Sequence, residues 1–286
     1  MSQRHRALRH HPRSSAGRAN PTPLPENEQA VVEEHLPLRS PMVYEVVRQE
    51  GENELRRPLA SLWWSGIAAG IGISTSVLTE ALLHGNVPEP GWRSLVASFG
   101  YTIGFVIVVI GRLQLFTENT ITAVLPLFAN WSRMHFVNTL RLWGVVLAAN
   151  LIGVFGTAVL FTHAGLVSDP ALAMMLEVSH DAASHSVLDA MLLGVPAGFL
   201  VAAIVWILPN AEGSELLVVV MLTYVMALGD FTHVVVGSGE LFLLLFDGTV
   251  DSVYVMTRII AIMVGNVIGG TGLFALLAYG QVRSEM

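Results

Sequence analysis

The chain has 286 residues, of which 53% are apolar and 13% charged, and its mean hydropathy is +0.59. A soluble domain carries about 25% charged residues, so most of this chain is too apolar to face water. A net charge of −7 without a basic face excludes an electrostatic nucleic-acid binder, and the lack of cysteine excludes disulfides, thiolate nucleophiles, iron–sulfur clusters and sulfur-ligated zinc.

The first 58 residues form a polar tail. Nine of the fifteen basic residues and eight of the twenty-two acidic ones lie here. Residues 1–20 carry Arg4, Arg6, Arg9, Arg13 and Arg18 with no acid; Pro12 lies among them, and Pro21, Pro23 and Pro25 follow. Such a stretch cannot bury enough apolar surface to order itself. It has the basic start of a signal peptide but no apolar region behind it, so cleavage is not expected. The prolines also argue against an organelle transit helix. Residues 41–57 open with Ser40 as a candidate N-cap and Pro41 at the first helical position, which predicts a short amphipathic helix lying on the membrane surface.

From residue 59 to 282 the chain reads as a transmembrane domain, with 283–286 as a short cytoplasmic C-terminus. The stretches 59–79, 142–168, 190–211 and 259–282 are uncharged and long enough for one crossing each, about 20 residues at ~1.5 Å per residue. Two further apolar stretches are interrupted: 94–132 by Arg112 and Glu118, and 216–246 by Asp230, His233 and Glu240. Cutting the first at Glu118 leaves a remainder too short for a hydrocarbon core of about 30 Å. Each interrupted stretch therefore reads as one crossing made of two half-helices, which gives six crossings. Arg56, Arg57, Arg133 and Arg141 mark one side, while the connection 169–189 carries Asp169, Glu177, Asp181 and Asp189 with no Arg or Lys. By the positive-inside rule both termini are cytoplasmic.

Three strings recur in order. Gly66-Ile-Ala-Ala-Gly70 returns as Gly194-Val-Pro-Ala-Gly198, Phe116-Thr117 as Phe231-Thr232, and Asn150-Leu-Ile-Gly153 as Asn266-Val-Ile-Gly269. Their offsets are 128, 115 and 116 residues. Three crossings is an odd number, so the second half is expected to be inverted relative to the first, with the two broken helices, the second and the fifth, meeting near the midplane.

The breaks hold the candidate site. Leu115-Phe-Thr-Glu-Asn-Thr120 and Gly229-Asp-Phe-Thr-His233 are dense in polar groups where the chain crosses lipid. His233 is the sharpest candidate, since an imidazole both donates and accepts and titrates near neutral pH; the plainer reading is a histidine that ties two helices together. Glu118 and Asp230 are either pore-lining or paired with Arg112 and Arg258, and Thr117 and Thr232 either face a solute or satisfy freed carbonyls. His180, Asp181 and His185 read as solvated loop residues rather than metal ligands. No phosphate loop, Gly-x-Ser-x-Gly elbow or His-Glu-x-x-His occurs. Neither an enzyme nor a cofactor is expected.

Tyr101-Thr-Ile-Gly-Phe105, Leu115-Phe116-Thr117, Phe231-x-His233 and Gly265-Asn266-Val-Ile-Gly269-Gly270 resemble elements of the formate/nitrite transporter family, over residues 59–282. The resemblance implies a homo-pentamer of aquaporin-like protomers in a bacterial inner membrane, each with its own pore for a small monovalent anion such as formate, nitrite or hydrosulfide. By motif position it makes His233 the central pore histidine, Thr117 the threonine of the broken-helix loop and Asn266 the sixth-span asparagine. Tyr101, Phe105, Phe116 and Met226 fall at apolar constrictions. The chain departs from the family's formate channels in Thr232 (Glu there), Gly237 (Asn there) and the Glu118-Asn119 pair (small residues there), which resembles a poorly characterised branch.

A bare anion does not cross an apolar constriction cheaply, whereas its neutral acid does. The favoured reading is thus a passive or proton-coupled path for a small anion or its acid. The alternatives are an aquaporin-like pore for a small neutral solute, and a membrane scaffold or sensor acting through its polar tail.

Overall fold

The computed structural model describes residue 25, residues 36–88 and residues 90–285. The Arg-rich first 20 residues lie outside the described residues. All regular elements among the described residues are helical.

Helix α1 (Ser40–Arg56) starts one residue earlier than the sequence suggests, with Arg39 at the N-cap and Pro41 in the first turn. Its apolar side meets protein. Val43, Tyr44 and Val47 share a buried cluster with Ile121, Leu125, Ala202 and Ala275, and Arg141 Nη2 donates to Leu55 O at 2.6 Å.

Helix α2 (Leu59–Asn86) runs from Pro58, which has no N–H to continue a preceding helix, to the Val87-Pro88 pair. Helix α3 (Pro90–Phe105) widens into a π-helical turn at Val106–Ile110 and stops at Gly111. After an irregular stretch the chain makes two short helices, α4 (Asn119–Thr122) and α5 (Leu125–Ala129). Helix α6 (Arg133–His163) starts where Ser132 Oγ accepts from His135 N. The acidic connection is itself helical, α7 (Asp169–Ala183), and buries Met175, Ser179 and Ala183.

Helix α8 (Val187–Ile207) is capped by Ser186. Helices α9 (Glu215–Leu228) and α10 (Val234–Asp247) are the two pieces of the second interrupted stretch. Helix α11 (Ser252–Val267), capped by Asp251, passes through a π-helical segment at Ile268–Ala275 into α12 (Leu276–Arg283).

Among the described residues five stretches are long and apolar enough to cross a membrane: Leu59–Asn86, Gly91–Ile110, Arg133–His163, Val187–Asn210 and Ser252–Arg283. Asn119–Ala129 and Glu215–Leu228 are apolar but shorter. The first interrupted crossing thus divides unequally, with a full-length arm before the break, because the helix runs on to Gly111 and leaves only the remainder for α4 and α5. Large side chains such as Trp64, Ile71, Leu192 and Leu277 are exposed on the outer faces of these helices. That surface needs lipid or a neighbouring subunit to cover it.

The close helix crossings are set by glycine. A Cβ at Gly70 would fall well inside contact distance of Asn150 O on α6, and one at Gly198 would meet Asn266 O on α11 in the same way. Only a residue without a side chain lets α2 lie on α6, and α8 on α11, at this distance.

Candidate functional site

The two breaks close with the same backbone geometry. At the first, Leu113 N donates to Val108 O and Arg112 N to Val109 O, with Arg112 at φ 54°. At the second, Phe231 N donates to Met226 O and Asp230 N to Ala227 O, with Asp230 at φ 52°. Each is a Schellman ending, and each places a residue with a side chain in the left-handed conformation that usually takes glycine. Gly111-Arg112 therefore corresponds to Gly229-Asp230, at an offset of 118 residues. The Phe-Thr match seen in the sequence is three residues out of this register. On the structural register the repeat counterpart of His233 is Leu115, not Glu118.

Both breaks are tied down by an asparagine in the following long helix. Asn150 Oδ1 accepts from Phe116 N at 2.9 Å, and its Nδ2 donates to Gln114 O at 2.8 Å and Gly66 O at 2.9 Å. Asn266 Oδ1 accepts from Val234 N at 2.9 Å, and its Nδ2 donates to Thr232 O and Gly194 O, each at 2.9 Å. Both asparagines are fully buried. An amide side chain supplies an acceptor and two donors on one planar group, which suits a broken backbone that offers one free N–H beside free carbonyls.

The breaks meet through side chains. His233 Nε2 lies 2.8 Å from Thr117 Oγ1, and both residues are buried. Val236 N donates to His233 Nδ1, so His233 also caps α10, and the Nε2–H is left to donate to the threonine hydroxyl. The Phe105 ring meets the imidazole edge to face at 5.0 Å.

A cavity of about 440 Å³ opens onto His233. Tyr101, Met226 and Thr232 line it near the histidine, and Glu80, Asp230 and Glu240 bring acid to its walls.

Residues 41–280 match the sequence model of the family described as Formate/nitrite transporter. The chain belongs to that family. It is 35% identical over 255 residues to the inner membrane protein YfdC of Escherichia coli (strain K12), covering 89% of this chain and 82% of that one. It is 29% identical to the uncharacterized transporter YrhG of Bacillus subtilis (strain 168), covering 85% of this chain and 96% of that protein. To the formate channel BtFdhC of Bacillus thuringiensis it is 24% identical, again over 85% of this chain and 96% of the other. Among solved structures it shares its fold with an FNT family ion channel, at a TM-score of 0.73 and 18% identity over 84% of this chain and 98% of that chain. A pentameric formate channel with formate bound superposes with a TM-score of 0.65 at 18% identity, over 79% and 98% of the two chains.

Within this transporter-family fold the candidate residues separate. His233, Thr117, Tyr101, Phe105 and Met226 gather around one point. Phe116 is buried beside it and packs edge to face on Trp143 at 5.9 Å. Asn266 spends its amide on backbone, as does Thr232, whose hydroxyl donates to Ala190 O at 2.6 Å. Asn119 bonds within its own turn, to Leu115 O and the Gln114 side chain.

Neither ion pair weighed in the sequence forms. Arg112 pairs with Glu50 of α1 at 3.2 Å, and Glu118 Oε1 is buried without a hydrogen-bond partner among the described residues. Asp230 bonds His185 at 2.8 Å, while Arg258 donates to His185 O and stacks on Tyr254. Asp181 and His185, read as solvated, line the cavity instead. Sequence reasoning missed Glu80 and singled out Glu240 only as an interruption of an apolar stretch. Glu80 gave no signal, because an acid near the end of a span reads as the boundary of the membrane.

Proposed function

We propose that this chain forms a channel or transporter for small monovalent anions of weak acids, of the formate, nitrite or hydrosulfide class, and that the solute passes the narrowest point as its neutral acid. The observation that carries this reading is the His233–Thr117 hydrogen bond at the floor of the cavity. It joins two breaks in membrane helices through groups that exchange a proton. Tyr101, Phe105, Phe116 and Met226 supply the apolar constriction around it. Burying a charge there costs several kcal/mol; a His233 imidazolium, charged by a proton taken up from water in the cavity and giving up its Val236 N–H contact, passes that proton to the anion and returns to the neutral imidazole, which removes most of that cost.

Six crossings in two inverted three-helix repeats fit the matched Schellman endings and the matched asparagine ties. The family resemblance favours a homo-pentamer in a bacterial inner membrane, and the arginine distribution favours cytoplasmic termini. The E. coli relative's description as an inner membrane protein supports the membrane, and the pentameric formate channel among the neighbours supports the pentamer. On this reading the protein works by transport, without a cofactor.

Flux into proteoliposomes at several pH values tests the role of His233. His233→Phe removes the exchangeable proton and His233→Asn keeps hydrogen bonding without titration, so both lose the steep pH dependence of weak-acid flux. Thr117→Val, which removes one partner, gives a smaller loss. A His233→Phe protein with native flux and native pH profile overturns the proton-exchange role.

A further inference from the structure

The two repeats differ at the point where a long helix passes the opposite break. Counted from the two tying asparagines, Val154-Phe155 of α6 correspond to Gly270-Thr271. The first pair packs apolar surface on α10: Val154 faces Gly239, and the Phe155 ring meets Phe242 and Phe246 edge to face at 5.2 and 5.1 Å. Gly270 and Thr271 instead lie in the π-helical segment Ile268–Ala275, whereas α6 runs as one uninterrupted α-helix. A π-helical turn inside a helix is rare and recurs at functional sites.

This segment meets α4 through polar groups. A Cβ at Gly270 would fall well inside contact distance of Thr120 Oγ1, so only glycine lets the backbones come this near. Thr271 Oγ1 then donates to Thr120 O, a carbonyl that takes no backbone hydrogen bond among the described residues. Thr120 Oγ1 donates to Thr117 O at 2.7 Å, and Thr117 Oγ1 lies 2.8 Å from His233 Nε2. Thr117 stands in the turn ahead of α4, and its carbonyl is held among the described residues by Thr120 alone, through Oγ1 and through N at 3.3 Å. Because Thr117 Oγ1 accepts from the imidazole, its own hydrogen is the donor left for a solute.

We propose that Thr120 and Thr271 are positioning residues that aim the Thr117 hydroxyl at His233. This rests on the weak-acid reading above and names what holds its threonine in place. Neither residue lines the cavity, so both act through Thr117. Without the Thr271 bond the α4 turn is free to swing, the Thr117 peptide turns with it, and the hydroxyl leaves the imidazole. A small misplacement at a reacting centre lowers the rate although every group there is still present. The π-helical segment is thus the part of the second repeat that sets the geometry of the first repeat's break.

The test measures formate, nitrite and hydrosulfide uptake by proteoliposomes holding the full chain, with protein-free liposomes as background. Thr271→Val keeps the side-chain shape without the donor, Thr271→Ala removes the donor without adding bulk, and Thr271→Ser keeps the hydroxyl; elution profile and thermal unfolding show that each assembles. Thr271→Val and Thr271→Ala are expected to lower flux roughly two- to ten-fold, the worth of one hydrogen bond, and Thr271→Ser to restore it. Combined with Thr117→Val, Thr271→Val should cost nothing further, because residues that act through one group are not additive. Native flux in both donor-less variants, or a double variant whose loss is the product of the single losses, overturns the positioning role. A second readout needs no flux: the imidazole N–H resonance of His233 in ring-labelled protein, assigned by its absence from His233→Phe. It should move in Thr271→Val toward its place in Thr117→Val and stay native in Thr271→Ser; a resonance unmoved by Thr271→Val overturns the proposal. A native chain that moves none of the three probes overturns the transport reading, and the imidazole resonance then decides the positioning role by itself.

Discussion

Replacing Asn266 by Ala tests whether the broken helices are held by the asparagine ties. Asn266 serves Val234 N–H, Thr232 C=O and Gly194 C=O. Gly194 lies inside α8, so its carbonyl also has a helical partner. Val234 N–H and Thr232 C=O lie at the break and lose their bonds to Asn266 when the amide is removed. Each buried group left unsatisfied costs about 1–3 kcal/mol, and the third bond adds about 1 kcal/mol. The expected loss is about 5 kcal/mol, and for a chain of this size about 2–4 °C per kcal/mol makes it a fall in Tm of roughly 10–20 °C. Asn150→Ala orphans the corresponding Phe116 N–H and Gln114 C=O, so its fall should match within experimental scatter. Thermal unfolding of the two purified variants in one detergent measures both. A loss below about 1 kcal/mol for Asn266→Ala, with altered flux instead, would refute the reasoning and make Asn266 a solute-facing group.

Two further outcomes follow from local geometry. Arg112→Gly removes a left-handed strain of about 1 kcal/mol and gives up only an exposed pair with Glu50, worth little, so it should raise Tm modestly, whereas Asp230→Gly relieves the same strain but forfeits the His185 hydrogen bond and should gain less; equal gains in thermal unfolding would show that the His185 contact contributes no more than the exposed Glu50 pair. On α1, hydrogen bonds from Arg48 and Gln49 hold the Glu45 carboxyl down at about 2. A carboxyl depressed in the folded state stabilises above its unfolded pKa and loses that contribution as pH falls through the folded one. The stability difference between the native chain and Glu45→Gln should therefore be full at pH 6 and shrink between about pH 4.5 and pH 2; a difference independent of pH would contradict it.

The sequence by itself determined the helical class, the apolar stretches and the two sites where helices stop. Lipid leaves no partner for a free backbone group, so an apolar run long enough to span must be helical, and a charge inside one marks an interruption. His233 and Thr117 were legible for the same reason: both are polar residues at membrane depth. What only the tertiary structure decided is which groups meet. The register between the breaks rests on Gly111-Arg112 and Gly229-Asp230, whose shared backbone conformation leaves no shared side-chain chemistry to read. Arg112 found Glu50, 62 residues away, and Asp230 found His185, 45 residues away, because helix crossing angles, not spacing along the chain, bring those side chains within reach. The cavity, with the carboxyls of Glu80 and Glu240 on its wall, belongs to the same class of fact. Glu80 and Glu240 stand on different helices, and their facing one space depends on how α2 and α10 are placed around α3 and α9, which no local pattern encodes.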